Sequence, residues 1–292
     1  MTRLRRCEHW FADGTFKCTP LLFGQLFTVH GLCNHQTFPL LYALLPNKEK
    51  QTYKRFFEIV KSLVKINPTS ITMDFERGAL TAAKKVFRGV DIHGCFFHLC
   101  QTIMRRIQNV GLKRKYEEDS DFALSMQLLA ALAFVPPADV ESAFDKLVEE
   151  YLKGRIPDSS QGEDDRTDDE DQDEEAGMCM LPEQAQSVVD YFEDCWIRRP
   201  SRNTARQKAS FDVNLWNCYE QTASGLPRTN NSVEAWHRGF ETVVDGVHVN
   251  LFRMIDALQK ENTFVNASWE QNVAREPPTK RRRYLDCAAR LS

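Results

Sequence analysis

Between Ser70 and Val110 the chain alternates a short apolar run, a helical segment, a second apolar run and a second helix, and this order restricts the fold more than any other feature. SITMDFE (70–76) follows Asn67-Pro68 and reads as a strand. RGALTAAKKVF (77–87) is Ala-rich, sets Leu80, Ala83 and Phe87 on one side, and is ended by Gly89. DIHGCFFHLC (91–100) reads as another strand, running into a helix through Gln101 to Val110. A strand–helix–strand unit joins parallel neighbours by a crossover. Ahead of it stand HWFADGTFKC, GQLFTVHGLC and TFPLLYALLP. These are short, rich in Phe, Thr, Val and Leu, and broken by Gly, Asn and Pro, the pattern of an antiparallel meander. Tyr53, Phe56, Phe57, Val60, Leu63 and Val64 then fall on one face of a helix. Three antiparallel strands followed by a parallel pair predict a mixed five-stranded α/β sheet with flanking helices.

Beyond residue 110 the periodicity is helical. ALSMQLLAALAF is an apolar helix broken by Pro136-Pro137, and ADVESAFDKLVEEYL resumes with an amphipathic face. PEQAQSVVDYFEDCWI (182–197) is helical with Pro182 suited to a first turn. LWNCYEQ, SVEAWHRGFETVV and NLFRMIDALQKENTFVNASWEQ complete a helical C-terminal part. Residues 158–175 (DSSQGEDDRTDDEDQDEE) hold 11 of the 41 acidic residues and one of the 38 basic ones. Such a tract cannot build a core, so a disordered loop is predicted at about 157–178. The rest, with 37 basic and 30 acidic residues, is mildly basic, which is compatible with a nucleic-acid partner. The expected organisation is a sheet-bearing core in 1–110, an all-helical insertion in 111–215, the C-terminal helices of the core in 216–270, and a basic tail in 271–292.

No apolar run approaches the roughly 18–20 residues of a membrane span. Residues 1–17 lack the apolar stretch of a secretory signal. Nine cysteines, without a CxxC pair, suggest reduced thiols rather than a disulfide framework. The sequons at Asn230 and Asn266 are then chance matches.

Three carboxylates stand out, each with two readings. Asp13, in FADGTFK, is either the first residue of a type I′ hairpin turn or a mid-strand residue aimed out of the sheet. Asp74, closing SITMDFE, is either a helix cap or a ligand-binding group at a strand's carboxyl end. Glu234, in RTNNSVEAWHRGF, either completes a capping box with Asn231 or is presented to the sheet, with His237 a turn later on the same face. Taken in order, an Asp on the first strand, an Asp on the fourth and a late Glu on a helix have the layout of an integrase-like nuclease. Crowded carboxylates raise one another's pKa values, and divalent cations relieve this. Two Mg²⁺ (or Mn²⁺) ions about 3.5–4 Å apart can activate an attacking oxygen and stabilise the leaving one.

ADGTFK, QLFTVHG, PLLYALLPNK, TYKRFFE, DFERGALTAAKKVF, GCFFHLCQ, ALAFVPP, DYFEDCWI and GLPRTNNSVEAWHRGF occur in this order. Together they closely resemble the transposase domain of Mutator-like elements (MULE), over about residues 8–265. The resemblance implies an RNase H-like fold, a helical insertion ahead of the helix that carries the last Glu, and a DDE-type metal-dependent transposase. The family's catalytic, metal-binding triad maps onto Asp13, Asp74 and Glu234, separated by 61 and 160 residues. Its C-x2-H motif maps onto Cys95 and His98. With Cys100 nearby, these suggest zinc, but ligands on one short segment do not close a tetrahedral site. The other readings are a buried Cys with a hydrogen-bonded His, or a role for His98 in placing DNA. His237 is either a packed helix residue or an auxiliary acid–base group.

The partners implied are DNA, as element ends and target, and further copies of the chain in a homo-oligomer. RRIQNVGLKRK (105–115) and RRPSRNTARQK (198–208) are candidate phosphate contacts or simply solvated faces. PPTKRRR (277–283), with the basic run Lys280–Arg283, suggests a nuclear localisation signal, the alternative being a basic tail in a cytoplasmic protein. Family members usually carry an N-terminal zinc-binding domain of WRKY or FLYWCH type, and nothing here matches one. The chain is therefore expected to be a fragment, a truncated product or a host-captured derivative. The rival to an active transposase is a domesticated, inactive module that binds DNA or protein.

Overall fold

The computed structural model describes residues 2–149, 183–199 and 207–274. The chain divides into two compact units, Met1–Leu99 with Asn214–Ser292, and Cys100–Val213.

The first unit is built on five strands: β1 (His9–Thr15), β2 (Gln25–Cys33), β3 (Gln36–Leu45), β4 (Ser70–Met73) and β5 (Asp91–Gly94). Their order across the sheet is β3-β2-β1-β4-β5. β1 is central, antiparallel to β2 and parallel to β4, and β4 is parallel to β5. Helices α1 (Lys50–Val64) and α2 (Arg77–Val86) lie between strands in sequence, and α10 (Asn231–Val244) and α11 (Leu251–Ala274) close the unit. This is a mixed five-stranded α/β sheet with flanking helices, compatible with an RNase H-like fold.

Side chains of a strand alternate between faces, so β1 serves two layers at once. Trp10 on one face meets Phe87 at 5.8 Å between ring centroids, and Phe87 meets Phe57 of α1 at 5.8 Å. Phe27 of β2, opposite Gly14, packs on Tyr53 and Phe56, both at 5.3 Å. On the other face Leu26, opposite Thr15, shares a buried cluster with Phe240 and Val244 of α10 and with Met254 and Ala257 of α11. Burial on both sides explains why β1 reads as WFA without a polar partner for each apolar residue.

Two element ends differ from the expectation. The strand in SITMDFE stops at Met73, and the one in DIHGCFFHLC stops at Gly94, with helix α3 (Phe96–Asn109) starting two residues on. At Gly94 a Cβ would run into the Phe75 ring, so glycine lets the chain pass close to this aromatic.

The second unit contains α4 (Lys113–Glu118), α5 (Ser120–Ala131), α6 (Val140–Leu147) and α7 (Glu183–Phe192), the last continued by a π turn over Glu193–Ile197. A two-residue ladder, β6 (Arg198–Arg199) with β7 (Gln207–Lys208), departs from the all-helical expectation for 111–215. Short helices α8 (Val213–Trp216), which starts at the unit boundary, and α9 (Tyr219–Ala223), which belongs to the first unit, follow in the chain. Phe144 stacks on Phe192 and Trp196 on Phe211. Arg198 is not available to phosphate. It is 6% exposed and pairs with Glu193 at 3.2 Å, with Glu141 at 3.3 Å and with Asp145. In 105–115, Lys113 and Arg114 pair with Glu117 and Glu118, and Lys115 with Asp119, each one turn on, the arrangement of a solvated helix face. The acidic tract at 157–178 and the basic run Lys280–Arg283 lie outside the described residues. Among the described residues no helix is long and apolar enough to cross a membrane.

Trp10 joins the central strand to both α1 and α2 through Phe87, and its indole N–H is satisfied by the Cys7 carbonyl at 2.9 Å. Trp10→Ala should therefore cost about 3–5 kcal/mol, read as a lowered midpoint in urea unfolding. A loss below 1 kcal/mol would show that this aromatic layer does not anchor the sheet.

Candidate active site

The register of the central strands sets the site. Ala12 of β1 pairs with Met73 of β4 in parallel, so the next residues, Asp13 and Asp74, stand beside each other at the carboxyl end of that pair. Asp13 is a strand residue opposite Thr28 of β2, which excludes the hairpin-turn reading. The β1 alternation sends Asp13 to the α10 face. Asp74 is not the cap of α2, since that position is Glu76. Its Oδ1 accepts the Glu76 backbone N–H at 2.6 Å, which folds the chain tightly at the strand end.

Asp13, Asp74 and Glu76 line one cleft together with Lys48, Phe16 and Phe27. The Lys48 ammonium lies 3.7 Å from the Phe16 ring centroid. Glu76 was not singled out from the sequence. The signal was the spacing Asp-x-Glu at a strand end, where the tight turn brings residue i+2 back beside residue i. Burial raises the Glu76 carboxyl and Asp74 adds to this, while the Tyr53 hydroxyl and Lys48 oppose. Tyr53 is itself fully buried and receives a hydrogen bond from Gln25 Nε2 at 2.7 Å.

Glu234 lies in the first turn of α10, but not in a capping box. The helix begins at Asn231 and its cap position is Asn230, whose side chain is engaged elsewhere. The Glu234 carboxylate faces His98 of α3, with Oε1 3.5 Å from Nε2, and is not part of the cleft lining. Its charge still reaches Asp13, as the electrostatics below show.

Asp13 is the most perturbed acid of the site. Burial is the main cause; Asp74, Glu234 and Glu76 add repulsion, the Gly14 N–H opposes, and the carboxyl rises from its ordinary 3.8 to about 7. Oδ1 accepts the Gly14 N–H at 2.8 Å and Oδ2 accepts from Asn230 Nδ2 at 3.2 Å. His237 comes next, with Nδ1 3.8 Å from Asp13 Oδ2 and Nε2 3.1 Å from Thr28 Oγ1, while Thr28 also meets His30 Nε2 at 3.0 Å. The imidazole of His237 is lowered from 6.5 to about 4 by burial. At 3.8 Å the carboxylate does not outweigh that burial, so His237 stands by Asp13 as a neutral ring, not as an ion-pair partner.

Hard oxygen donors on a repelling carboxylate cluster suit a divalent cation. As placed, no three His, Cys, Asp or Glu side chains among the described residues are grouped closely enough to hold one ion. Cys95 is buried, and burial pushes its thiol up to about 11, so in the absence of metal it is a protonated donor.

The sheet order and the paired aspartates, side by side on neighbouring chain segments, define the class, an α/β domain with an acidic cleft. Residues 9–102 match the family model of the MULE transposase domain, and the match takes in β1 to β5 and the start of α3. No curated protein matches the chain.

The Asp13 shift has a pH signature. Between about pH 4 and 7 the unfolded chain has released this proton while the folded chain keeps it, so stability falls as pH rises through that window. His237 works the other way, losing stability as pH falls from 6.5 towards about 4, and is present in both proteins compared. Asp13→Asn should thus be about 2–4 kcal/mol more stable than wild type at pH 8 without metal. The gap should close towards pH 4 in thermal melts. An equal gap at both pH values would mean that Asp13 is not held under charge repulsion.

Proposed function

We propose that this chain is the catalytic domain of a DDE-type DNA transposase, with Asp13, Asp74 and Glu234 as the metal-holding carboxylates. The observation that carries this reading is the adjacency of Asp13 and Asp74 at the ends of parallel neighbours, under the charge of Glu234. Mg²⁺ or Mn²⁺, two ions in this chemistry, would supply an activated oxygen nucleophile and stabilise the leaving oxygen of a phosphodiester. The protein's part is placement. Asp13, fixed by the Gly14 N–H and by Asn230, and Asp74, fixed by the Glu76 N–H, offer oxygens from rigid strand ends. Glu234 reaches the site from α10 and would turn from His98 towards the aspartates when cation charge is present. The RNase H-like assignment, with the second unit as an insertion ahead of α10, belongs to the same reading. So do DNA as element ends and target, a homo-oligomer in the active complex, and a nuclear location.

A second reading is favoured by one observation: the Glu234 carboxylate is turned to His98 and does not line the cleft that Asp13 and Asp74 share. On that reading the fold is kept as a domesticated DNA- or protein-binding module.

Nicking of DNA by the purified chain with Mg²⁺ or Mn²⁺ separates the two. Asp74→Asn keeps the shape and the acceptor for the Glu76 N–H while removing the charge. It should reduce nicking at least about 100-fold with unchanged folding. Absence of metal-dependent cleavage by the wild type would favour the non-enzymatic reading.

A further inference from the structure

Both polar residues of the C-x2-H segment at the start of α3 reach the N-terminal turn of α10. His98 faces Glu234 at 3.5 Å. Cys95 goes further, because it is bonded twice to one residue. Its thiol donates to Asn230 Oδ1 at 2.7 Å, and its sulfur accepts the Asn230 backbone N–H at 3.3 Å. A backbone bond from Phe96 N–H to the Arg228 carbonyl, 3.0 Å, ties the same two segments together.

Asn230 is wholly buried, as is Cys95. Its side chain has one acceptor and two donor hydrogens, and the network fixes which end points where. The oxygen is taken by the Cys95 thiol, so the amide nitrogen must face Asp13 Oδ2, 3.2 Å away. A flipped amide would set oxygen against carboxylate and lose both bonds. The thiol can donate only while it keeps its proton, and its burial ensures this.

We infer that Asn230 is a positioning residue for the site: anchored by Cys95, it holds the Asp13 carboxylate in one orientation through its amide. The C-x2-H cysteine is thereby a structural donor two bonds away from the reacting groups. The inference rests on the reading of Asp13 as a metal-holding carboxylate. Groups that orient a ligand from behind typically change metal affinity by about 10–100-fold when removed.

The bridge itself is tested without metal. In ¹⁵N-labelled protein the Asn230 side-chain amide should be protected from hydrogen exchange, and both Asp13→Ala and Cys95→Ala should reduce that protection at least about 10-fold. Unchanged exchange in either variant overturns the bridge. Its consequence is tested by Mn²⁺ titration, followed by electron paramagnetic resonance. Asn230→Ala should weaken binding about 10-fold or more. Cys95→Ala should do the same, Cys95→Ser, which keeps a donor, should restore most of it, and the double variant should lose no more than Asn230→Ala alone. Thermal melts within a few degrees of wild type would show that the loss is not unfolding. Wild-type affinity in a folded Asn230→Ala overturns the positioning role. Absence of Mn²⁺ binding by the wild type overturns the metal reading instead, and with it any role of the bridge in metal binding, while the exchange result still decides whether the bridge exists.

Discussion

A buried carboxylate with carboxylates for neighbours is the constraint on which the first unit depends. Asp13 sits in the central strand, largely shielded from solvent at a cleft, and Asp74, Glu234 and Glu76 all act to keep it protonated. Such a group is tolerated only where the surrounding structure holds it firmly. Strand pairing with β2 and β4 fixes its backbone, while the Gly14 N–H and the Asn230 amide saturate its oxygens. The two layers of aromatic and aliphatic packing on either side of β1 supply the rigidity.

From this follows a division of labour between the two faces of the central strand. Even-numbered residues, Trp10 and Ala12, face α1 and α2 and build core. Odd-numbered residues from Asp13 on face α10, where Thr15 bonds Glu241 at 2.8 Å and Asp13 meets Asn230 and His237. A one-residue slip of β1 would exchange these roles, placing a carboxylate among Phe57 and Phe87. The register is therefore set by the site as strongly as by the core. The α10 side is polar in its middle and apolar at its end, where Leu26 meets Phe240 and Val244. The helix is thus held by hydrophobic contact at one end and by hydrogen bonds to Cys95 and Asp13 at the other.

The residues around Asp13 also explain why a histidine next to an acid need not be a general base. His237 is buried between Thr28 and Asp13, and burial lowers it to about 4. A group so depressed is neutral over the whole physiological range. It acts as a polar filler that accepts or donates locally between Thr28 and Asp13.

Much of this was legible in the sequence. Short apolar runs broken by Gly, Asn and Pro located β1 to β5, and helical periodicity located α1, α2 and the long C-terminal helices, because apolar spacing reports which face of an element is buried. The order of the acids pointed to Asp13 and Asp74, and the structure places them on adjacent strands. Local readings failed where a side chain had a distant partner. Asn230 reads only as a chance sequon but is bonded to Cys95, 135 positions away, and to Asp13, 217 positions away. Arg198 reads as a phosphate contact but is taken by Glu141, Asp145 and Glu193. Glu76 reads as the last residue of a strand segment but shares a cleft with two aspartates. The sequence by itself determined the order of the strands and main helices, and named Asp13 and Asp74 as candidates. Only the tertiary structure decided which polar groups meet, because hydrogen bonds and charge pairs act over a few ångströms in space and leave no period along the chain.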